Sequence, residues 1–217
     1  MTNVTSQLQR ESNPFATKYT RAGTLGFQFP SDDSLELLHG RLRTNNWLGQ
    51  IVGPHGSGKT TLLCMLQSRW NSWHRHPQTF ALHNGQRSIC ELDWRSWSSN
   101  TQVIVDGFEQ LCVISKILLV RRCRQRRSGL LVTTHSASRL LPVVHENRTS
   151  LKLAQSLVHA LTSSHCRPTI TSMESCYEHC DGNLREMFMS LYDEYQSTQH
   201  SADNSPPDDR ISQQKTP

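Results

Sequence analysis

Residues 53–60, GPHGSGKT, combine three glycines with a lysine and a threonine in a spacing that suits the binding of a polyphosphate. A loop that wraps phosphates must point its backbone N–H groups inward, and we expect the glycines to adopt the left-handed dihedrals that this requires. Lys59 is expected to place its charge on the β and γ phosphates, and the Thr60 hydroxyl suits a Mg²⁺ ligand. The stretch predicts a nucleotide-binding loop formed by Gly53, Pro54, His55, Gly56, Ser57, Gly58, Lys59, Thr60 and Thr61.

A second acidic segment, VIVDGFEQL at 103–111, supplies the carboxylates that the loop lacks. Asp106 follows a β-branched run and is expected to hold magnesium together with Thr60. Glu109 is a candidate to orient or deprotonate an attacking water. Two other interpretations remain open: Asp106 as a turn-forming residue before Gly107, and Glu109 as a solvated carboxylate at the start of a helix.

The elements around these motifs alternate between short apolar strands and amphipathic helices. A parallel sheet covered on both faces follows from this alternation, with ligands bound at the carboxyl ends of the strands. We therefore predict an α/β three-layer sandwich, and assign nothing to Asn84–Asn100. The predicted strands are Trp47–Val52, Thr79–Leu82, Gln102–Val105, Gly129–Thr134 and Val143–Asn147, and the predicted helices are Ser31–Arg43, Thr61–Trp73 and Ser115–Arg127.

After Thr149 the pattern is helical only, which predicts a small helical lid. Thr171 with Glu174 has the spacing of a capping box, and a continuous apolar stripe runs from Leu184 to Tyr195. The predicted organisation is a disordered N-terminus (1–12), an arm and helix (13–44), a nucleotide-binding domain (45–149), the lid (150–196) and a disordered tail (197–217).

Length and composition are those of one domain with small additions. The 217 residues carry 23 basic and 18 acidic side chains, a net charge of +5 that lies largely in RRCRQRR at 121–127. No signal peptide or membrane-spanning apolar run is visible, so we expect a cytoplasmic protein with no membrane partner. Seven cysteines, an odd number, favour reduced and mostly buried thiols.

Taken in order, GPHGSGKT, VIVDGFEQ, LLVTTH and DGNLRE resemble the motifs of P-loop ATPases of the AAA+ and STAND type, in the ASCE division, over about residues 45–196. The first of these is the Walker A motif. The chain also resembles small uncharacterised bacterial ATP-binding proteins. The resemblance implies ATP and Mg²⁺ as cofactors, a parallel sandwich with a helical lid, and a possible homo-oligomer or protein partner.

The resemblance also implies roles for individual residues. Thr133, Thr134 and His135 match the sensor-one position, where a polar side chain contacts the γ phosphate, and Arg185 matches the sensor-two arginine of the lid. Gly107 directly follows Asp106 where many such ATPases have the catalytic carboxylate, and DGFEQ is similar to the DGLDE of STAND switches, which implies slow hydrolysis. The candidate catalytic residues are Lys59, Glu109, Thr134 and Arg185, and the candidate metal ligands are Thr60 and Asp106.

Three weaker signals carry open alternatives. RRCRQRR is interpreted as a solvated helix end, a nucleic-acid-binding patch, or the source of an arginine for a neighbouring subunit. Phe15 and Tyr19 are interpreted as packing residues of the arm or as a stacking surface for adenine. A zinc site is the less favoured interpretation of a His and Cys group, because its spacing is not that of paired knuckles: His165, Cys166, Cys176, His179 and Cys180.

We therefore expect an ATP-binding protein, a magnesium-dependent slow ATPase or nucleotide-gated switch. The alternatives are a nucleic-acid-associated ATPase that uses the 121–127 cluster and an ATP-binding module without hydrolysis. A phosphotransferase ranks last, because it needs an acceptor pocket and an arginine-rich lid.

Overall fold

The computed structural model describes residues 13–82, 94–162 and 170–203, and these form an α/β fold built on a five-stranded parallel sheet. The strand order is β2-β3-β4-β1-β5, and every neighbouring pair is parallel. Because β4 lies between β1 and β3, the segments that follow these three strands meet at one edge of the sheet. The strands are β1 (Leu48–Val52), β2 (His76–Ala81), β3 (Thr101–Asp106), β4 (Gly129–Thr134) and β5 (Val143–Glu146).

Helices cover both faces of the sheet. Successive side chains of a strand point to opposite faces, so each strand contributes to the apolar packing on both sides. Val103 and Val105 pack in one apolar cluster with Leu119 and Cys123, whereas Ile104 packs in a second cluster with Trp70. The predicted three-layer α/β arrangement is confirmed. The helices are α1 (Thr17–Thr20), α2 (Leu35–Thr44), α3 (Lys59–Gln67), α4 (Val113–Arg126), α5 (Leu151–Leu161), α6 (Ile170–His179) and α7 (Leu184–Asp203).

The last three helices form a third apolar cluster together with the N-terminal arm. Phe15 is only 3% exposed and packs among the side chains of α5 and α7. Asn13 fixes the arm further, because its Nδ2 donates to the backbone oxygen of Tyr192 at 2.9 Å. Phe15 is therefore a packing residue of the lid, and its side chain is buried away from solvent.

Several predicted elements differ in their bounds from the observed ones, including the first predicted helix, which begins at Leu35 and not at Ser31. The helix predicted to reach Trp73 ends at Gln67, and a short 3-10 turn, Asn71–Trp73, follows. Trp70 is nevertheless fully buried. Its position in the apolar pattern therefore indicated a buried side chain and not a residue of the helix. The second strand begins at His76, before the predicted Thr79, and includes Pro77. A proline is tolerated there because β2 is an edge strand.

Differences also occur in the lid. Thr171 already lies within α6, so the predicted capping box does not mark the start of that helix. α7 continues to Asp203, past residue 197 where the disordered tail was predicted to begin. Extending an existing helix needs no nucleation, and the hydroxyls of Ser197 and Thr198 donate to carbonyls one turn back. The predicted disorder of 1–12 and of the remaining tail concerns residues outside the described ranges.

Within the described ranges, no helix has the length and apolar character needed to cross a membrane. The described cysteines are all free thiols, namely Cys64, Cys112, Cys123, Cys176 and Cys180.

Candidate phosphate-binding site

The glycine-rich loop connects the carboxyl end of β1 to the first turn of α3. Gly56 and Gly58 have φ angles of +68° and +90°, as expected for left-handed loop positions. Gly53 is required for a different reason, because a Cβ atom there would lie 2.7 Å from both the Asn147 carbonyl oxygen and Ser57 Oγ. The predicted left-handed dihedral is thus found at two of the three glycines, and close approach explains the third.

Lys59 is buried at the base of the loop, with 9% of its surface exposed. Its Nζ donates to the carbonyl oxygens of Gly53 and Pro54 at 2.6 and 2.7 Å. Burial lowers the pKa of Lys59, the nearby carboxylates of Glu109 and Asp106 oppose that shift, and the Arg185 guanidinium adds to it. The lysine is therefore within electrostatic range of every other charged residue predicted for the site.

Asp106 and Thr60, the two residues predicted to hold a metal ion, are in direct contact. Thr60 Oγ1 donates to Asp106 Oδ2 at 2.8 Å, and Thr133 Oγ1 donates to Oδ1 at 2.5 Å. The Thr133 hydroxyl also accepts from the backbone N–H of Gly107 at 2.9 Å, which fixes the turn after β3. A hydroxyl and a carboxylate on adjacent elements are the oxygen ligands that Mg²⁺ prefers, so the residues fit that ion.

Glu109 lies on a short 3-10 turn, Phe108–Gln110, and faces the end of β4. His135 Nε2 is 2.7 Å from Glu109 Oε1, and both side chains are about one-third exposed, at 31% and 28%. The second oxygen, Oε2, has no hydrogen-bond partner among the residues that the structure describes. The imidazole of His55 packs on that of His135 with ring centroids 3.7 Å apart. One carboxylate oxygen is therefore held by His135, while the other is buried without a hydrogen-bond partner among the described residues.

Burial lowers the pKa of His135, and the neighbouring Lys59 and His55 side chains act in the same direction. The Glu109 carboxylate opposes this shift without reversing it. His135 is therefore neutral near pH 7 and is expected to donate its Nε2–H to Glu109.

Thr134 does not meet the predicted role of a side chain at the γ phosphate. Its hydroxyl is buried and lies 3.4 Å from Gln50 Oε1, and its backbone oxygen accepts from Gly53 N at 3.1 Å. Because side chains alternate along β4, Thr133 and His135 reach Asp106 and Glu109 while Thr134 points the other way. The sensor-one role is therefore better matched by Thr133 and His135, which the resemblance also included.

The start of α7 borders the loop and brings the lid to the site. Asn183 Oδ1 accepts from the backbone N–H groups of Arg185 and Glu186 at 3.2 and 3.4 Å and so caps the helix. A Cβ added to Gly56 would lie 1.7 Å from Asn183 Oδ1 and 3.2 Å from Arg185 N. The Arg185 side chain is exposed, and its backbone nitrogen lies beside the loop.

Sequence reasoning missed two polar residues that fix the segments around the site: Asn147 supports the loop, and Gln50 holds the segment after β4. Asn147 Nδ2 donates to the Ser57 carbonyl at 2.9 Å, and its backbone N–H donates to Val52 O at 2.7 Å. Gln50 Nε2 donates to Ser138 O at 2.7 Å and Oε1 accepts from Ser138 N at 2.9 Å. Neither residue belongs to a motif, and only the polarity of Gln50 within an apolar strand was a signal. Asn183 lay in the quoted DGNLRE segment without an assigned role.

Two weaker signals receive partial answers. Tyr19 is half-buried, with the Lys18 ammonium group 4.6 Å from its ring centroid. Another aromatic residue of the arm, Phe27, lies 3.7 Å from a Cβ built on Gly58. Within the described residues no group of three or more His, Cys, Asp or Glu side chains is arranged to hold a metal ion. His165 and Cys166 of the zinc alternative lie outside those residues.

The arginine cluster divides into two sets. Arg122 and Arg126 lie over the Trp94 ring at 5.3 Å each, whereas Arg121, Arg124 and Arg127 are exposed. Only part of the cluster is therefore available to a ligand.

Comparison with known proteins adds little to this geometry. No family model matches the chain, and no curated protein matches it. Among solved structures, PCH-2 of C. elegans matches with a TM-score of 0.37 and 12% identity, covering 75% of this chain and 67% of that one. A score this low supports no functional inference.

Proposed function

We propose that this chain is an ATP-binding protein of the AAA+ or STAND type that acts as a magnesium-dependent switch or slow ATPase. The observation that carries the proposal is the contact between Thr60 and Asp106, 2.8 Å apart, beside a lysine at the base of a glycine-rich loop. Phosphate binding, metal binding and the activation of water each need a different residue type, and the three types converge at one edge of the sheet.

In this proposal the loop at 53–60 binds the phosphates through its backbone N–H groups, and the Lys59 ammonium adds a charge-assisted contact. Thr60 and Asp106 hold magnesium, which when bound neutralises charge on the phosphate oxygens. Lys59 must exchange its hydrogen bonds to Gly53 O and Pro54 O for phosphate oxygens. That exchange costs little, because one set of polar partners replaces another.

Glu109 is proposed to accept the proton of the attacking water at Oε2. This oxygen is buried and has no partner among the described residues, so ligand binding must open it to water before it acts. Neutral His135 donates to Oε1 and holds the carboxylate in a fixed orientation. A base that must share its carboxylate with a histidine is a weaker base, which agrees with slow turnover. The same pairing also favours the second candidate function, an ATP-binding module that does not hydrolyse its ligand.

The lid is proposed to report nucleotide occupancy. Asn183 caps α7 next to Gly56, and Arg185 follows the cap, so a ligand in the loop meets the N-terminus of α7. Backbone N–H groups at a helix N-terminus and an arginine both favour a negatively charged neighbour. Phosphate binding is therefore coupled to the position of the lid.

The proposal is tested by calorimetric titration of ATP with Mg²⁺ into the wild-type chain and into Lys59→Ala. Loss of the lysine contact, about 1.5 to 3 kcal/mol, should weaken binding at least tenfold. Lys152→Ala, an exposed lysine on α5, is the matched control and should bind as the wild type does. Equal affinity of Lys59→Ala and wild type, or no binding by either, would reject a phosphate-binding loop.

Hydrolysis is tested separately by measuring phosphate release from Mg-ATP. Slow release supports the ATPase form of the proposal, whereas tight binding without release identifies the non-hydrolysing module. Asp106→Asn should then reduce the dependence of ATP affinity on Mg²⁺ while ATP binding in EDTA is unchanged.

A further inference from the structure

The outward side of α4 carries an unusual run of exposed apolar side chains. Val113 and Ile114 are 68% and 70% exposed, and Ile117 and Leu118 are 48% and 41% exposed. Val113 and Ile117 are four residues apart, as are Ile114 and Leu118, so all four side chains lie on one side of the helix. Single exposed apolar residues are common, but a contiguous group on one helix marks a surface that another molecule covers.

The same side of the helix becomes basic toward its C-terminus. Arg121 and Arg124 follow Ile117 at helical spacing, and both are exposed. A groove of about 350 Å³ lies between them and the segment after β4, lined by Ile117, Val120, Arg121, Arg124, Gln125 and Leu140. The sequence of α4, VISKILLVRRCRQR, contains no acidic residue, so the helix itself leaves these charges unpaired.

We propose that this α4 face, formed by Val113, Ile114, Ile117, Leu118, Arg121 and Arg124, binds an acidic amphipathic helix of a protein partner. The apolar half of the face needs apolar side chains opposite it, and the basic half needs carboxylates. Arginines at the rim of an apolar surface suit such a partner, because their planar groups bind carboxylates through two parallel hydrogen bonds.

A nucleic acid is a poorer occupant of the α4 face. Its phosphates would pair with Arg121 and Arg124 but would leave Val113 and Ile114 exposed. Arg122 and Arg126, which would extend a phosphate-binding stripe, instead lie on Trp94. Two α4 faces from copies of this chain would also match poorly, since neither supplies a carboxylate.

The test uses a synthetic helical peptide with leucine on one face and glutamate on the flanks. Its affinity for the full chain is measured by fluorescence anisotropy without nucleotide. The wild type should bind, and both Ile114→Ser/Ile117→Ser and Arg121→Glu/Arg124→Glu should weaken binding at least tenfold. Lys152→Glu makes a charge reversal on α5, away from this face, and should leave the affinity unchanged. Unchanged melting temperatures show that the variants fold.

Thiol footprinting locates the bound peptide. Cys112 is the N-cap residue of α4 and is exposed, whereas Cys64 is exposed on α3. Peptide binding should slow alkylation of Cys112 several-fold and leave the alkylation rate of Cys64 unchanged.

Four outcomes would overturn the proposal. The first is no peptide binding by the wild type, and the second is equal binding by all variants. The third is binding of a DNA or RNA oligonucleotide that the arginine changes abolish and the isoleucine changes do not affect. The fourth is self-association of the wild type, seen by sedimentation, that the isoleucine changes remove, because the occupant would then be a second copy.

Discussion

His135 Nε2 lies 2.7 Å from Oε1 of Glu109, and this pair connects the end of β4 to the turn that follows β3. The two residues are far apart in sequence and belong to different motifs. Among the described residues, Glu109 and Asp106 are the two carboxylates that act on the pKa of Lys59. The contact with His135 engages one of the two oxygens of Glu109. The chemistry proposed for Glu109 therefore depends on a partner that the acidic motif does not contain.

Glu109→Gln should retain ATP affinity within about threefold of the wild type and lose about a hundredfold in phosphate release. Glutamine keeps the size of the side chain and a hydrogen-bonding group for His135, but it cannot accept a proton. Binding is measured by calorimetry and turnover by single-turnover phosphate release. Hydrolysis at the wild-type rate would exclude Glu109 as the base.

Acidification should destabilise the chain through His135. Its pKa is lower in the folded chain than the ordinary value of 6.5, chiefly because it is buried. The unfolded chain therefore binds the proton first as the pH falls. The contribution of His135 to stability is complete above pH 6.5, and it is lost as the pH falls through the folded-state pKa.

His135→Gln isolates this contribution from that of the other histidines. The free energy of unfolding is measured by urea denaturation at pH 7.5 and pH 5 for both chains. The wild type should lose more stability between the two pH values than the variant does. An equal or larger loss in His135→Gln would contradict the lowered pKa.

Much of the fold followed from the sequence because strand, loop and helix signals agreed along the central strands. GLLVTT predicted β4 with its observed bounds, since a buried run of six residues between Ser128 and a polar segment has few other interpretations. Glycine spacing and lysine position likewise identified the loop. Local chemistry determines these features, and no distant contact is needed to recognise them.

The supporting shell of the site could not be predicted in the same way. Every residue of β4 is buried, so periodicity does not reveal which of Thr133 and Thr134 faces Asp106. That choice depends on the register of β4 with β3 and β1, which is set by pairing across the sheet. Asn147, which directly follows β5, supports Ser57 from 90 positions away in sequence, and no local pattern encodes such a contact.

Gly40→Ala should stabilise the folded chain by about 0.5 to 1 kcal/mol. Gly40 lies in the interior of α2, and a Cβ there meets nothing within 4 Å. The change is measured as the free energy of unfolding in urea. Gly49→Ala is the contrasting variant. Its Cβ would lie 2.5 Å from Val144 Cγ1, so this substitution should destabilise the chain.

Arg185→Ala should weaken the response to ATP while leaving the melting temperature of the ligand-free chain unchanged. The side chain is exposed and lies off the buried stripe of α7, so it contributes little to packing. ATP affinity and the ATP-induced change in small-angle scattering are measured, with the exposed α2 residue changed in Arg43→Ala as control. If Arg185→Ala matches the wild type in both, Arg185 is a surface residue without a role in coupling.

Gly56→Ala should uncouple the lid from the phosphate loop. The residue has a φ of +68°, which costs a side chain about 1 to 2 kcal/mol, and its Cβ would lie 1.7 Å from Asn183 Oδ1. The cap of α7 must then move away, and ATP affinity should fall at least tenfold. Gly26→Ala is the matched control, since its Cβ meets nothing within 4 Å and no left-handed φ is imposed there. Calorimetric titration compares the two variants, and equal ATP affinities would mean that the contact between Gly56 and Asn183 has no part in binding.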